Sequence, residues 1–251
     1  MGKKAGVVNV FDTPYEVWSK RDATTEEALD RVNNKGLSAI EALQVNDKLI
    51  EVVSTHVEAA TRILCQRTDN GLKGHIDRAL DESPDYLTLR ESMPQDKPEA
   101  LSSYQGKFSE CDWPLADVAI QTHGVEMAQG QYLFHGGHWA SNSASITTSR
   151  PFSTSFCPQV ALRNAEWNGK AYDAGRVDLM VVRVTGTTNK AFAYSREGNH
   201  GNEKEVVFAS GAQLTRVQET FIANIPVSKM GPDSLLIEKC VPAYVVVVDL
   251  N

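Results

Sequence analysis

Tyr244-Val245-Val246-Val247-Val248 is a continuous apolar run, not an alternating one. A strand with one wet face alternates apolar and polar residues. An unbroken run therefore predicts a central strand buried on both faces. Such a strand needs neighbours on either side and further layers above and below it, which limits the folds open to the chain.

The neighbours are readable in the second half. Strand signals fall at residues 131–135, 145–149, Val177–Val184, Glu205–Phe208 and Leu214–Glu219, with a last pair at Leu235–Lys239 and Ala243–Leu250. The first half reads helical. Thr24-Thr25-Glu26-Glu27-Ala28-Leu29 starts a short helix that Lys35-Gly36 ends. Ser38-Ala39-Ile40-Glu41 is a capping box, and Ile40, Leu43, Ile50, Val53, Val57, Ala60 and Leu64 then recur at helical steps up to Asn70-Gly71. This predicts one long amphipathic helix, or two with a break near Asn46-Asp47. Residues 82–112, with Pro84, Pro94, Pro98 and Gly106, read as an irregular connection with brief helical turns. Trp113-Pro114 with Leu115, Val118, Ala119 and Ile120 predicts one more short helix. Helices followed by strands make the fold class α+β rather than alternating βαβ units. The expected division is a helical region over 1–125, supporting and a candidate for target binding, and a β-rich core over 126–251, the two integrated as one domain.

The chain has 251 residues, 41% of them apolar and 23% charged, a composition that suits a globular protein with a buried core. Its net charge of −7 argues against nucleic acid or an anionic membrane surface as partner. Cys65, Cys111, Cys157 and Cys240 form no metal-binding spacing, so a reducing compartment and no metal are expected. No run of eighteen apolar residues exists, and Met1–Gly6 lacks the apolar core of a secretory signal. Gly6 stands where myristoylation prefers Ser or Thr. A cytosolic monomer is expected, or a protein delivered by a route that leaves no such signal.

One constellation carries chemistry. Phe152-Ser153-Thr154-Ser155 offers three hydroxyls on a β segment, of which Ser153 and Ser155 share a face. Glu203-Lys204-Glu205 opens the strand Val206-Val207-Phe208, and Leu133-Phe134-His135-Gly136 lies upstream. Each piece alone has an ordinary explanation: Ser-Thr-Ser is common at strand edges, and Glu-x-Glu is common at solvated strand ends. His135 and His138 are three apart, but Gly136-Gly137 argues against the helix a metal pair would need. Cys157 has no adjacent base and reads as a small buried hydrophobe.

Together the pieces carry a resemblance. Phe152–Ser155, then Pro158-Gln159-Val160-Ala161-Leu162 opening a helix, then Glu203–Gly211 leading into Leu214-Thr215-Arg216-Val217, resembles the Arg-Ser-Glu class of mono-ADP-ribosyltransferases of bacterial toxin and effector type. It spans roughly residues 130 to 250. The resemblance implies two packed, mainly antiparallel sheets with an NAD cleft between them. NAD is then a co-substrate whose ADP-ribose passes to a host protein side chain as nicotinamide leaves. Glu205 is the implied catalytic carboxylate, stabilising an oxocarbenium-like state, and Glu203 positions the acceptor from the preceding loop. Ser153 leads the motif that holds the NAD pocket with Phe152, Thr154 and Ser155. Gly136 pairs with nicotinamide through its backbone beside His135, and Phe152 or Phe156 stacks on the ring. Residues 192–202 correspond to a substrate-recognition loop, with Phe192 and Tyr194 as its aromatic contacts.

The chain departs from that class at His135, where the family carries Arg. The His-Gly pair is instead similar to the diphtheria-toxin-like and poly-ADP-ribose polymerase branch. A histidine can donate to a ribose hydroxyl but cannot clamp a phosphate bidentately, so phosphate binding falls to another residue, Arg150 or Arg163. Glu-x-Glu favours arginine as acceptor; threonine or serine, including on ubiquitin, stays open. Two rival functions are an NAD glycohydrolase and a catalytically inactive NAD- or protein-binding module.

Overall fold

The computed structural model describes residues 6–106, 111–140, 142–186, 189–198 and 200–251. The start of the chain through Ala5 lies outside the described residues, as does Asn199 of the expected recognition loop.

The protein is α+β. In chain order its elements begin with β1 (Tyr15–Asp22), α1 (Thr25–Lys35), α2 (Ala39–Ala42) and β2 (Gln44–Val53). Helices α3 (His56–Gln66), α4 (Asn70–Glu82), α5 (Pro84–Glu91), α6 (Glu99–Gly106) and α7 (Trp113–His123) follow. Then come β3 (Val125–Glu126), β4 (Tyr132–Gly137), β5 (Ser145–Thr147), β6 (Phe152–Ser155), α8 (Pro158–Glu166) and α9 (Lys170–Ala174). The chain continues through β7 (Val177–Val184), β8 (Lys190–Ala193), β9 (Glu205–Phe208), β10 (Gln213–Met230) and β11 (Leu236–Leu250).

Residues Phe11–Thr55 form one compact unit, and residues 6–10 with His56–Asn251 form the other, so α3–α7 share a unit with the strands that follow them. In the smaller unit β1 and β2 pair antiparallel from Tyr15↔Val53 to Asp22↔Gln44. Thr24 and Ser38 each make a full capping box, at α1 and α2, and Gly36 closes α1 in the left-handed region that a residue without Cβ adopts freely.

The long helix expected from Ser38 onward is not formed. The Ser38 cap holds a helix of four residues only, after which Gln44–Val53 becomes a strand; helix resumes at His56. Ile40, Leu43 and Ile50, counted as one apolar face, are exposed, so no core rewards a helical stripe there. Pairing with the distant Tyr15–Asp22 satisfies the backbone instead, and local periodicity does not register such a partner. The stripe is real further on: His56, Ala59, Ala60, Ile63 and Leu64 are the buried face of α3. The described part of the stretch 82–112 also holds more order than its prolines suggest, with helices over Pro84–Glu91 and Glu99–Gly106. Pro84 occupies the first turn of α5, where its missing N–H costs nothing, and Ser83 caps that turn.

The larger unit is built on nine strands in the order β3-β8-β9-β6-β4-β7-β11-β10-β5. Only β7 and β11 run parallel; every other neighbouring pair is antiparallel. The apolar run Tyr244–Val248 lies in β11, between β7 and β10. Val245, Val246 and Val248 are buried while Tyr244 and Val247 are half-buried, so both faces of the strand are covered in part rather than throughout. The two expected terminal strands are one, since Leu236–Leu250 is continuous opposite a β10 that runs to Met230.

Between β4 and β6 the registered pairing shrinks to Phe134↔Ser155. That narrow joint divides the nine strands into a block of four and a block of five. Helix α8 packs across β4 and β7, with α3 beside it. Gly136 permits this contact: a Cβ there would sit 1.7 Å from the Ala161 carbonyl oxygen of α8. No helix among the described residues is long and apolar enough to cross a membrane.

Candidate active site

The joint between the two strand blocks gathers the residues singled out in the sequence. Strand β6 pairs with β9 from Phe152↔Phe208 to Ser155↔Glu205, and β8 flanks β9 on its other side. Glu205 therefore opens a strand held on both edges. Its side chain is nearly buried, at 8% exposure. Ser153 Oγ donates to Glu205 Oε1 at 2.5 Å, and Gln105 Nε2 donates to Oε2 at 3.1 Å. Each carboxylate oxygen thus has a donor. Burial still dominates and pushes the Glu205 carboxyl up to about 7; the Ser153 hydroxyl works against that shift, and the nearby Glu203 charge adds to it.

The three hydroxyls divide their work. Thr154 is buried and its Oγ1 donates to the Val206 carbonyl at 2.7 Å, locking the β6–β9 ladder. Ser155 Oγ donates to the Glu203 carbonyl at 2.6 Å and accepts from Cys157 N at 3.0 Å. Of the three, Ser153 alone meets the buried carboxylate. Glu203 belongs to a short turn, Gly201–Glu203, outside the ladder; its carboxylate is half-exposed and 3.0 Å from His200 Nδ1.

His135 spans the gap where β4 and β6 stop pairing. Its Nδ1 lies 2.6 Å from the Ser153 carbonyl oxygen, and its ring packs 4.5 Å from that of Phe152. A carbonyl oxygen only accepts, so Nδ1 carries the hydrogen. Burial holds the imidazole down at about 4, which keeps it neutral at pH 7. Nε2 then presents a lone pair, on the side where a Gly137 Cβ would come within 2.9 Å. A hydroxyl meeting this atom must be the donor, the reverse of the direction expected from the sequence.

Two further charges reach His135: Lys170 at the start of α9, and Arg150, whose guanidinium lies 5.3 Å over the Trp113 ring. Burial and the neighbouring Arg150 both push the Lys170 ammonium down. Arg163, the other arginine considered for phosphate, is exposed in the last turn of α8.

The aromatic residues assigned to the recognition loop are not exposed on it, and Tyr194 follows directly after β8. Phe192 belongs to β8, and both Phe192 and Tyr194 are buried, packed edge to face at 5.2 Å. Tyr194 Oη donates to the Leu101 carbonyl. Phe156 is likewise a core residue, set edge-on against Tyr86. Phe152 is the aromatic that meets His135.

Several residues of the site come from the helices and were invisible as chemistry in the sequence. Gln105 of α6 reaches Glu205, and the adjacent Tyr104 donates to the Pro151 carbonyl at 3.1 Å, just before β6. Arg90 of α5 donates to the Ala193 carbonyl at the end of β8. Asp77 of α4 pairs with Lys204, the residue between the two glutamates, at 3.0 Å. No motif spacing announces these partners, because each lies about fifty to a hundred and thirty residues from the group it touches.

The arrangement presents a buried carboxylate beside a hydroxyl, a second, more exposed carboxylate two residues away, a neutral imidazole and two cations. A buried carboxylate close to a reacting carbon can stabilise positive charge developing there.

No protein-family model matches the chain, and no curated protein matches it. Among solved structures it is similar to the enzymatic component C2-I of the C2 toxin from Clostridium botulinum, at 8% identity and a TM-score of 0.39, over 65% of this chain and 45% of that one. It is also similar to Vis toxin, an ADP-ribosyltransferase from Vibrio splendidus, at 12% identity and a TM-score of 0.41, over 73% and 87% of the two chains. Plx2a, an ADP-ribosyltransferase toxin from Paenibacillus larvae, gives 8% and 0.38, over 71% and 96%. The chain spans less than half the length of the C2-I chain it matches.

Proposed function

We propose that this protein is a mono-ADP-ribosyltransferase with an ADP-ribosyltransferase fold, passing one ADP-ribose from NAD to a protein side chain with release of nicotinamide. The observation that carries the proposal is the bond from Ser153 Oγ to the buried Glu205 carboxylate. Cleavage breaks the bond between the ribose anomeric carbon and the pyridinium nitrogen. The electron pair leaves with nicotinamide, and positive charge spreads over the ribose ring. Ionised Glu205 stabilises that charge, and burial strengthens the effect by excluding water. Ser153 keeps the carboxylate oriented and eases its ionisation.

Neutral His135 supports ribose recognition, since Nε2 accepts from a hydroxyl. It cannot neutralise phosphate, and Arg150 with Lys170 supplies the positive charge instead. Phe152 and the Gly136 backbone are the proposed nicotinamide contacts, while Thr154 and Ser155 hold the motif in register. Glu203, half-exposed beside His200, orients the acceptor. Arginine is the favoured acceptor. Threonine or serine, on ubiquitin among other proteins, is the second choice. The partner is a host protein met in the cytosol, by a monomeric toxin or effector, and helices α3–α7 support the core.

Incubating the purified protein with labelled NAD and host lysate tests this. A labelled band that mass spectrometry maps to a modified side chain is expected. Nicotinamide release with no labelled protein marks a glycohydrolase, and neither product marks an inactive binding module.

A further inference from the structure

Glu203 and Glu205 are held by different means. Glu205 is part of β9, paired with β6 and β8 and fixed by Ser153 and Gln105. Glu203 lies before that strand, in a reverse turn whose flanking residues His200 and Lys204 adopt the left-handed backbone region at φ 67° and 48°. Non-glycine residues enter this region at a cost of order 1 kcal/mol or more, so surrounding contacts must hold them there.

His200 is met by Glu203 itself, whereas the contacts of Lys204 and of Arg196 converge on one carboxylate. Lys204 is buried, and its ammonium lies 3.0 Å from Asp77 Oδ1 while donating to the Asn202 carbonyl at 3.2 Å. Arg196, at the start of the same loop, reaches Asp77 Oδ1 at 2.9 Å, the Asp77 carbonyl at 3.2 Å and Asp81 at 2.6 Å. The loop also closes on itself, since a Cβ at Gly201 would come 2.0 Å from the Arg196 carbonyl oxygen. Asp77 stands on α4, whose Leu72, Ile76 and Leu80 are buried in the core. One rigid helix therefore grips both ends of the segment that carries Glu203.

We propose that Asp77 is a positioning residue that sets Glu203 through Lys204 and Arg196, and so governs delivery of the acceptor rather than cleavage of NAD. This rests on the transferase function proposed above. Removing the Asp77 charge releases the Lys204 and Arg196 side chains that orient the turn before β9, while the Ser155 bond to the Glu203 carbonyl and the ladder that holds Glu205 remain. Acceptor transfer is then lost while nicotinamide release persists. A generally unfolded variant loses both together.

The test compares Asp77→Asn with the wild-type protein, measuring nicotinamide release and protein labelling side by side in lysate with NAD, alongside melting temperature. Labelling is expected to fall about tenfold or more while nicotinamide release stays within about threefold, the pattern of a lost orientation effect on one step. Arg196→Gln, which keeps the buried Lys204–Asp77 pair, is expected to move the same ratio in the same direction and carries the test if Asp77→Asn does not fold. A parallel fall in both products in both variants, or an unchanged ratio, overturns the role of Asp77 and leaves the transferase function standing. Absence of nicotinamide release from wild-type protein overturns that function, and this role with it.

Discussion

Ser153 Oγ donates a 2.5 Å hydrogen bond to Oε1 of Glu205 across the β6–β9 ladder, joining residues fifty-two positions apart in the chain. The bond selects one glutamate of the Glu-x-Glu pair as the buried one. Glu205 needs a donor to ionise out of water, whereas Glu203 is half-exposed.

The buried carboxyl makes stability depend on pH. Glu205 keeps its proton up to about 7 in the folded protein, against an ordinary value of 4.5, so the folded state binds more protons than the unfolded one between those values. Stability therefore falls as pH rises from about 4.5 through 7. Glu205→Gln cannot ionise, and its amide can donate to Ser153 Oγ. Denaturant unfolding should show the variant more stable than wild type at pH 8, by up to roughly 3 kcal/mol, with no gain at pH 4.

Ser153→Ala removes the group that lowers the Glu205 carboxyl most. The rising limb of the pH–rate profile, centred near pH 7 in the wild type, is expected to move to higher pH. Nicotinamide release should drop on the order of tenfold near pH 6.5 and recover in part at pH 9. A uniform loss at every pH contradicts the role given to Ser153.

Under the proposed function Arg150 and Lys170 carry the phosphates of NAD, so either alanine variant should raise KM for NAD about tenfold with kcat little changed, the mark of a charge-assisted ground-state contact. Arg163→Ala serves as the control and should leave both constants alone. Steady-state nicotinamide release measures all three.

What was legible in the sequence follows the range of the forces involved. The caps at Thr24 and Ser38, the strands Val177–Val184 and Glu205–Phe208 and the apolar strand run in β11 are local patterns, and the structure contains them. The strand at Gln44–Val53 was not legible, because its partner Tyr15–Asp22 is polar and distant. Gln105, Arg90 and Asp77 were hidden for the same reason: a side chain on a helix shows which face it is on but not which loop arrives there. Phe192 and Tyr194 illustrate the converse. Aromatic residues beside a Gly- and Asn-rich loop suggest exposed contacts, yet β8 pairing and the Leu101 carbonyl draw both into the core.

In the proposed function Glu205 carries the cleavage of NAD. The most direct measurement is chromatographic detection of nicotinamide released from NAD by the purified protein and by Glu205→Gln. Release by the wild type, with a loss on the order of a hundredfold or more in the variant and NAD binding retained, is the predicted result. Equal rates from the two proteins, or no release from the wild type, contradict it.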